Sequence, residues 1–264
     1  MPKAKLSDVE IFYELKGMGD PLVLVPGFAS GAWSWEQQAA ELSRDFSVIT
    51  FDPRGVSKSN ISNGADVSIK SIAEDVAGLL ESLGIAKANI LGISFGGFVA
   101  QEFALKYPHK LRKLVLASTS FGGANHVAPS MEVLSAFAST DGLNSAERIR
   151  PYITMAFTPS FAESSPDTVD RFCTLREKNP VPEQVYLQQL QSAMAFDAES
   201  RLPNISAETL VVTGDRDVVV PMQNSVNLAT VLPNARLEII GGAGHMAFVE
   251  RAGEFNTIVR DFLI

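Results

Sequence analysis

The sequence predicts an α/β fold, with a mostly parallel central sheet, helices on both faces and a helical insertion. Three observations lead there. Short apolar runs alternate with segments of helical period. Those runs are apolar on successive residues rather than on alternate ones, so both faces of the sheet must be covered. At Ile93, Ser94 and Phe95 a strand passes directly into a helix.

In chain order, Val9 to Leu15 and Leu22 to Val25 read as strands. Ser47 to Phe51 reads as a third, ended by the turn Asp52-Pro53-Arg54-Gly55. Ile69, Ile72, Ala73, Val76, Leu79, Leu80 and Leu83 then recur at helical spacing, with Gly84 at the C-cap. Asn89 to Ile93 is a short apolar strand, and the helix from Phe95 to Tyr107 is stopped by Pro108. Leu111 to Ala117, Thr209 to Thr213 and Leu237 to Ile240 complete the strands. From Phe121 to about Pro203 the alternation lapses into shorter helical patterns broken by prolines. The expected organisation is therefore a core of residues 1–120 and 204–264 with a helical insertion over 121–203.

Composition narrows the function classes. The 264 residues suffice for one compact catalytic unit with an insertion. With 46% hydrophobic and 20% charged residues the chain is expected to be globular. The 22 Lys and Arg against 30 Asp and Glu leave a net charge of -8, the wrong sign for neutralising phosphates, so no nucleic-acid partner is expected. No apolar run approaches the roughly 20 residues that span a bilayer, and Met1-Pro2-Lys3-Ala4-Lys5 leads into no secretory apolar region. No membrane partner and a cytoplasmic location are the corresponding expectations. Cys173 is the single cysteine and is expected to be a buried thiol.

Gly92-Ile93-Ser94-Phe95-Gly96 fits G-x-S-x-G, in which serine sits on a strained strand-to-helix turn and the glycines give clearance. Serine needs a base within hydrogen-bond reach to act as a nucleophile. Of the three histidines, His109 ends the nucleophile helix and His126 lies in a glycine-rich loop entering the insertion. His245, in Gly241-Gly242-Ala243-Gly244-His245-Met246 after the last apolar strand, can return to the serine. An imidazole base needs a carboxylate to fix its tautomer. Gly214-Asp215-Arg216-Asp217 follows a strand and offers two; Asp217 is preferred, with Asp215 as a turn former.

The chain resembles the α/β-hydrolase superfamily along essentially its whole length. Leu22 to Phe28 looks like the family's strand and oxyanion loop, and Phe51 to Ser59 like its D-x-R-G-x-G-x-S segment. The order Ser94, Asp217, His245 is the family's order. The resemblance implies that the backbone N–H groups of Phe28 and Phe95 form the oxyanion hole. Pro26 stands where the family often has histidine before Gly27, which removes the usual support of that loop. By resemblance Asp52 and Arg54 brace loops rather than react. The implied reaction is acyl transfer to water from a small-molecule ester, lactone or thioester, with no metal and no organic cofactor.

Small carboxylesterases, enol-lactone hydrolases and carrier-bound ester hydrolases remain open. Carbon-carbon bond hydrolases and perhydrolases share the triad, and a ligand receptor on the same scaffold is an alternative of another class. A dehalogenase of this fold would carry Asp at position 94. The insertion is expected to cap the triad, with Met131, Phe137, Met155, Phe157, Phe161, Phe172, Met194 and Phe196, and Met246 beside the histidine, as acyl-pocket residues. Arg148, Arg150, Arg171 and Arg176 lie among Glu147, Asp170 and Glu177 and are expected to pair locally, which ranks uncharged esters above carboxylate-bearing ones.

Overall fold

The computed structural model describes residues 2–62 and 64–264. The chain runs β1 (Lys3–Lys5), β2 (Val9–Lys16), β3 (Asp20–Val25), α1 (Glu36–Leu42), β4 (Phe46–Phe51), β5 (Asn60–Ile61), α2 (Ile69–Ser82), β6 (Ala88–Ile93), α3 (Phe95–Lys106) and β7 (Leu111–Ala117). Five helices follow: α4 (Met131–Ala138), α5 (Ala146–Met155), α6 (Pro159–Ser164), α7 (Pro166–Lys178) and α8 (Glu183–Met194). The sheet resumes with β8 (Thr209–Gly214), α9 (Gln223–Val231) and β9 (Ala235–Ile240), and the chain closes with α10 (Ala247–Glu250) and α11 (Ala252–Leu263).

The strands lie in the order β1-β2-β4-β3-β6-β7-β8-β9, with β5 on β2. From β4 to β9 every pairing is parallel, and β2 joins β4 antiparallel. The continuous apolar runs follow from burial on both faces. In β3, Val23 and Val25 pack with α2 and α3, whereas Leu22 and Leu24 face the cluster holding Trp35, Leu42 and Phe255. β9 departs from that pattern: at the sheet edge its Arg236 and Glu238 pair with each other and Ile239 is 45% exposed.

β1, α1, β5, α9, α10 and α11 add to the elements expected from sequence. β1 buries only Ala4, and the Glu-Gln-Gln-Ala-Ala-Glu-Leu of α1 has too few large apolar residues to show a stripe. α11 does carry one, with Phe255, Val259 and Leu263 buried. In the insertion, Pro159 and Pro166 open helices and Pro182 caps one, as punctuation by proline requires. Pro151 instead lies inside α5.

Behind β4, Asp52 accepts the Ala32 N–H (2.8 Å) and the Lys58 N–H (3.1 Å), tying two loops together. Arg54 makes a two-pronged pair with Asp75 of α2, Nε to Oδ2 and Nη2 to Oδ1 both at 2.7 Å, and both side chains are buried. Removing Asp75 takes away the two short bonds and leaves the buried guanidinium with only Asp8, 3.3 Å away and partly exposed, and the Asp66 carbonyl. Asp75→Ala is therefore expected to cost about 3–5 kcal/mol in a denaturant titration.

Candidate active site

Ser94 joins β6 to α3 with φ 53° and ψ -120°, a backbone that L residues rarely adopt. The neighbouring glycines make this turn possible by close approach. A Cβ at Gly92 would lie 2.2 Å from the Gly96 carbonyl oxygen, and one at Gly96 would lie 2.3 Å from that of Val25. The Ser94 N–H donates to Ala117 O (2.9 Å), and its carbonyl accepts from Thr119 Oγ1 (2.8 Å), so the strained residue is held from both sides.

His245 and Asp217 follow the two last parallel strands and are both buried. His245 Nδ1 and Asp217 Oδ2 are 2.9 Å apart, while Asp217 Oδ1 accepts the N–H groups of Val219 (2.9 Å) and Val220 (2.8 Å). Both carboxylate oxygens thus have donors, and the bond at Nδ1 leaves Nε2 as the nitrogen able to take a proton. Asp215 is exposed and accepts the Gly242 N–H at 2.7 Å, a turn contact. His109 and His126 are exposed.

The histidine loop is fastened to the insertion through a residue that the sequence argument overlooks. Buried Glu250 accepts from the Gly244 N–H (3.1 Å), the Thr158 N–H (3.0 Å) and Thr158 Oγ1 (2.7 Å). Its position five residues past His245 is the only signal of this in the sequence. The loop after β3 is held in a similar way. Gln189 of α8, fully buried, accepts the Ala29 N–H at 2.9 Å beside Phe28, and Ala29 has φ 50°. Gln189 thereby holds the backbone next to Phe28. Phe28 and Phe95 pack edge to face at 6.0 Å, and their N–H groups donate to no described residue.

Ser94 and His245 open onto one cavity of about 90 Å³ under the insertion, floored by Gly27, Phe28 and Ile93. Of the residues expected to line it, Phe137, Phe172 and Met246 do. The others lie elsewhere. Met131 (74% exposed) and Met194 (82%) point to solvent. Met155 borders an outer groove beside Arg216, which Phe157 also reaches while stacking on Phe161 at 5.4 Å. Phe196 stacks on Phe98 at 4.6 Å. These aromatic residues pack the insertion together or onto the core, as helical spacing of apolar residues ordinarily does. Trp33, Tyr152 and Arg176 line the cavity without having been expected there. Tyr152 sits between the buried Ile149 and Ile153 on α5, a spacing that marks an inward face.

The insertion arginines divide into two kinds. Arg150 pairs with Asp170 (2.7 Å) and Arg171 with Glu36 of the core, both on the surface. Arg148 and Arg176 form no ion pair with any carboxylate among the described residues. Cys173 is buried in the packing of α7, and burial pushes its thiol up, away from the reactive thiolate. No helix among the described residues is long and apolar enough to cross a membrane.

The family model described as "alpha/beta hydrolase fold" matches residues 20–252. The chain is similar to the 2-hydroxy-6-oxo-6-phenylhexa-2,4-dienoate hydrolase of Comamonas testosteroni, at 31% identity over 98% of this chain and 92% of that one. Among solved structures it is similar to the enol-lactonase of Burkholderia xenovorans LB400, with 25% identity, a TM-score of 0.84 and 99% of each chain covered. It is also similar to a thermophilic esterase of Thermogutta terrifontis with malate bound, with 28% identity, a TM-score of 0.84, and 100% of this chain and 98% of that one covered.

Proposed function

Since the chain belongs to the α/β-hydrolase family, we propose that it is a serine hydrolase that cleaves a carboxylic ester or lactone through an acyl-enzyme, with Ser94 as nucleophile, His245 as base and Asp217 as the orienting acid. The observation that carries this reading is the 2.9 Å contact between Asp217 and His245 Nδ1, made at the wall of the cavity that also holds Ser94 on a positive-φ turn.

The chemistry follows from those positions. Ser94 Oγ attacks the carbonyl carbon and its proton passes to His245 Nε2, because Nδ1 is engaged by Asp217. The oxyanion is received by the Phe28 and Phe95 N–H groups. Collapse of the intermediate expels the alcohol, which takes the proton from His245. Water, deprotonated by His245, then cleaves the acyl-enzyme, releasing the acid and restoring the serine. The residues 121–203 act as a cap that shuts the cavity and selects substrate, a role supported by Phe137, Tyr152 and Phe172 in its walls.

A second reading, hydrolysis of a carbon-carbon bond, is favoured by the similarity to the dienoate hydrolase. The small apolar cavity and the likeness to an esterase and an enol-lactonase favour the ester or lactone. The test is turnover of p-nitrophenyl butyrate by purified protein. Steady turnover is the expected result. A stoichiometric burst followed by near-zero turnover would instead indicate a receptor, and cleavage of a dienoate alone would favour the second reading.

A further inference from the structure

An oxyanion hole made of backbone N–H groups depends on the loop that carries them, since a misplacement of about 1 Å can cost about 10²-fold in rate. Phe95 is secured as the first residue of α3. Phe28 lies in the irregular stretch 26–30 after β3, and Ala29 beside it has φ 50°, a backbone that L residues rarely adopt. Farther along the same loop, Asp52 fixes the Ala32 N–H. Within 26–30 the bond from the Ala29 N–H to Gln189 is the one hydrogen bond to another segment of the chain among the described residues.

That acceptor comes from the insertion, on a helix that is bolted to the core. Three side chains of α8 each take a backbone N–H from outside the insertion: Gln188 Oε1 that of Val67, Gln189 Oε1 that of Ala29 and Ser192 Oγ that of Ile69, all at 2.9 Å. Val185 of the same helix lies against Gly55, where an added Cβ would come within 2.7 Å of its Cγ2. Tyr186 and Gln189 are three residues apart and so share a face of the helix. They grip consecutive residues of the loop: the Tyr186 ring packs edge to face on Phe28 at 4.6 Å, and Gln189 holds the Ala29 N–H. Ala29 and Gln189 are both buried, so bulk water does not compete for their bond.

We propose that Gln189 is a positioning residue for the oxyanion hole: from α8 its side-chain carbonyl fixes the Phe28–Ala29 peptide and thereby keeps the Phe28 N–H aimed at the carbonyl oxygen of a substrate on Ser94. The inference rests on the serine hydrolase reading and adds a residue of the insertion to it. An amide suits the task. Only its oxygen can face a backbone N–H, which sets its orientation, and a neutral group can be buried here without a counter-ion. Without Gln189 the buried Ala29 N–H has no acceptor, and turning the peptide toward a new one moves the neighbouring N–H off its line. Acylation and deacylation both pass through an oxyanion that bound substrate lacks, so the loss falls on kcat and not on KM.

The experiment measures kcat and KM for p-nitrophenyl butyrate, and the affinity for phenylboronic acid, in the wild type and in Gln189→Met, Gln189→Asn and Gln189→Glu. Phenylboronic acid imitates the oxyanion state: Ser94 Oγ bonds to boron as its proton passes to His245, and one hydroxyl of the anionic adduct takes the oxyanion position. Methionine fills the volume without an acceptor, and asparagine draws the amide back by one methylene. Each is expected to lower kcat at least about tenfold with KM within about threefold, and to weaken phenylboronic acid at least about tenfold. Gln189→Glu keeps an oxygen at the same reach and should recover part of both. Gln188→Met is the control: it removes the equivalent bond from the same helix to Val67 and should leave kcat and boronate affinity within about threefold of wild type. A merely structural Gln189 would lower the melting temperature and leave kcat per folded enzyme unchanged. In an active wild type, unchanged kcat in Gln189→Asn overturns the proposal even if Gln189→Met does not fold, as does an equal loss in Gln188→Met. Boronate affinity that no Gln189 variant alters overturns it whether or not the ester turns over. Boronate binding that weakens as expected, in a protein without ester turnover, would keep the role of Gln189 and reject the esterase reading, whereas neither binding nor turnover in the wild type would reject both.

Discussion

Ser94→Ala and His245→Ala are each expected to lower kcat/KM for a p-nitrophenyl ester at least about 10³-fold, with the folded structure intact by circular dichroism. The reason is that nucleophile and base act as one unit. Without Oγ no acyl-enzyme can form. Without the imidazole the hydroxyl keeps its proton at neutral pH and no base activates the water that cleaves the acyl-enzyme. The double variant is therefore expected to be little worse than either single one, since the second change removes a partner that is already idle. What activity remains would come from cavity binding and the Phe28 and Phe95 amides. Near wild-type rates in either single variant reject the nucleophile and base proposed here. A loss in both that tracks a lowered melting temperature would point instead to the elbow's role in packing, which the tight contacts at Gly92 and Gly96 make the natural competing cause.

The parts of this protein legible in its sequence are those where one local rule decides. Strands β3, β4, β6, β7 and β8 are buried on both faces, so each prints a continuous apolar run, and α2 prints a stripe because its other side meets water. The elbow is readable because only small residues clear the turn at 92 and 96. Residues decided by tertiary partners are not readable in that way. Met194 and Phe196 are two positions apart and equally apolar, yet one is solvent-exposed and the other stacks on Phe98; the difference lies in which face of the cap meets α3. The arginines make the same point with charge. Arg171 finds its carboxylate on Glu36, distant in sequence, whereas Arg176, beside Glu177 in the chain, has no carboxylate partner among the described residues. Adjacency in a helix turns side chains to different faces, so local charge balance says little about pairing.

Asp217→Asn is expected to reduce kcat about 10³–10⁴-fold while Asp215→Asn stays within about threefold of wild type, a contrast that separates two carboxylates in one short loop. Asp217 serves donors on both sides, the imidazole at Oδ2 and the Val219 and Val220 amides at Oδ1. An asparagine has only one oxygen. If that oxygen stays on the two backbone N–H groups, the NH₂ faces His245 Nδ1 and forces the tautomer whose proton sits on Nε2, where the base must be free to accept. If the amide turns over, His245 is served but two backbone donors in a buried loop face a third donor, at about 1–3 kcal/mol for each group left unsatisfied. Either arrangement damages the base, the first through chemistry and the second through the loop that carries it. Asp215, by contrast, is exposed and accepts a single N–H from Gly242, a bond that an asparagine oxygen can keep. The measurement is kcat for both variants across pH 6 to 9, with ¹⁵N chemical shifts of the His245 ring reporting its tautomer. A silent Asp217→Asn alongside a crippled Asp215→Asn would transfer the orienting role to Asp215 and would require the loop after β8 to rearrange when substrate binds.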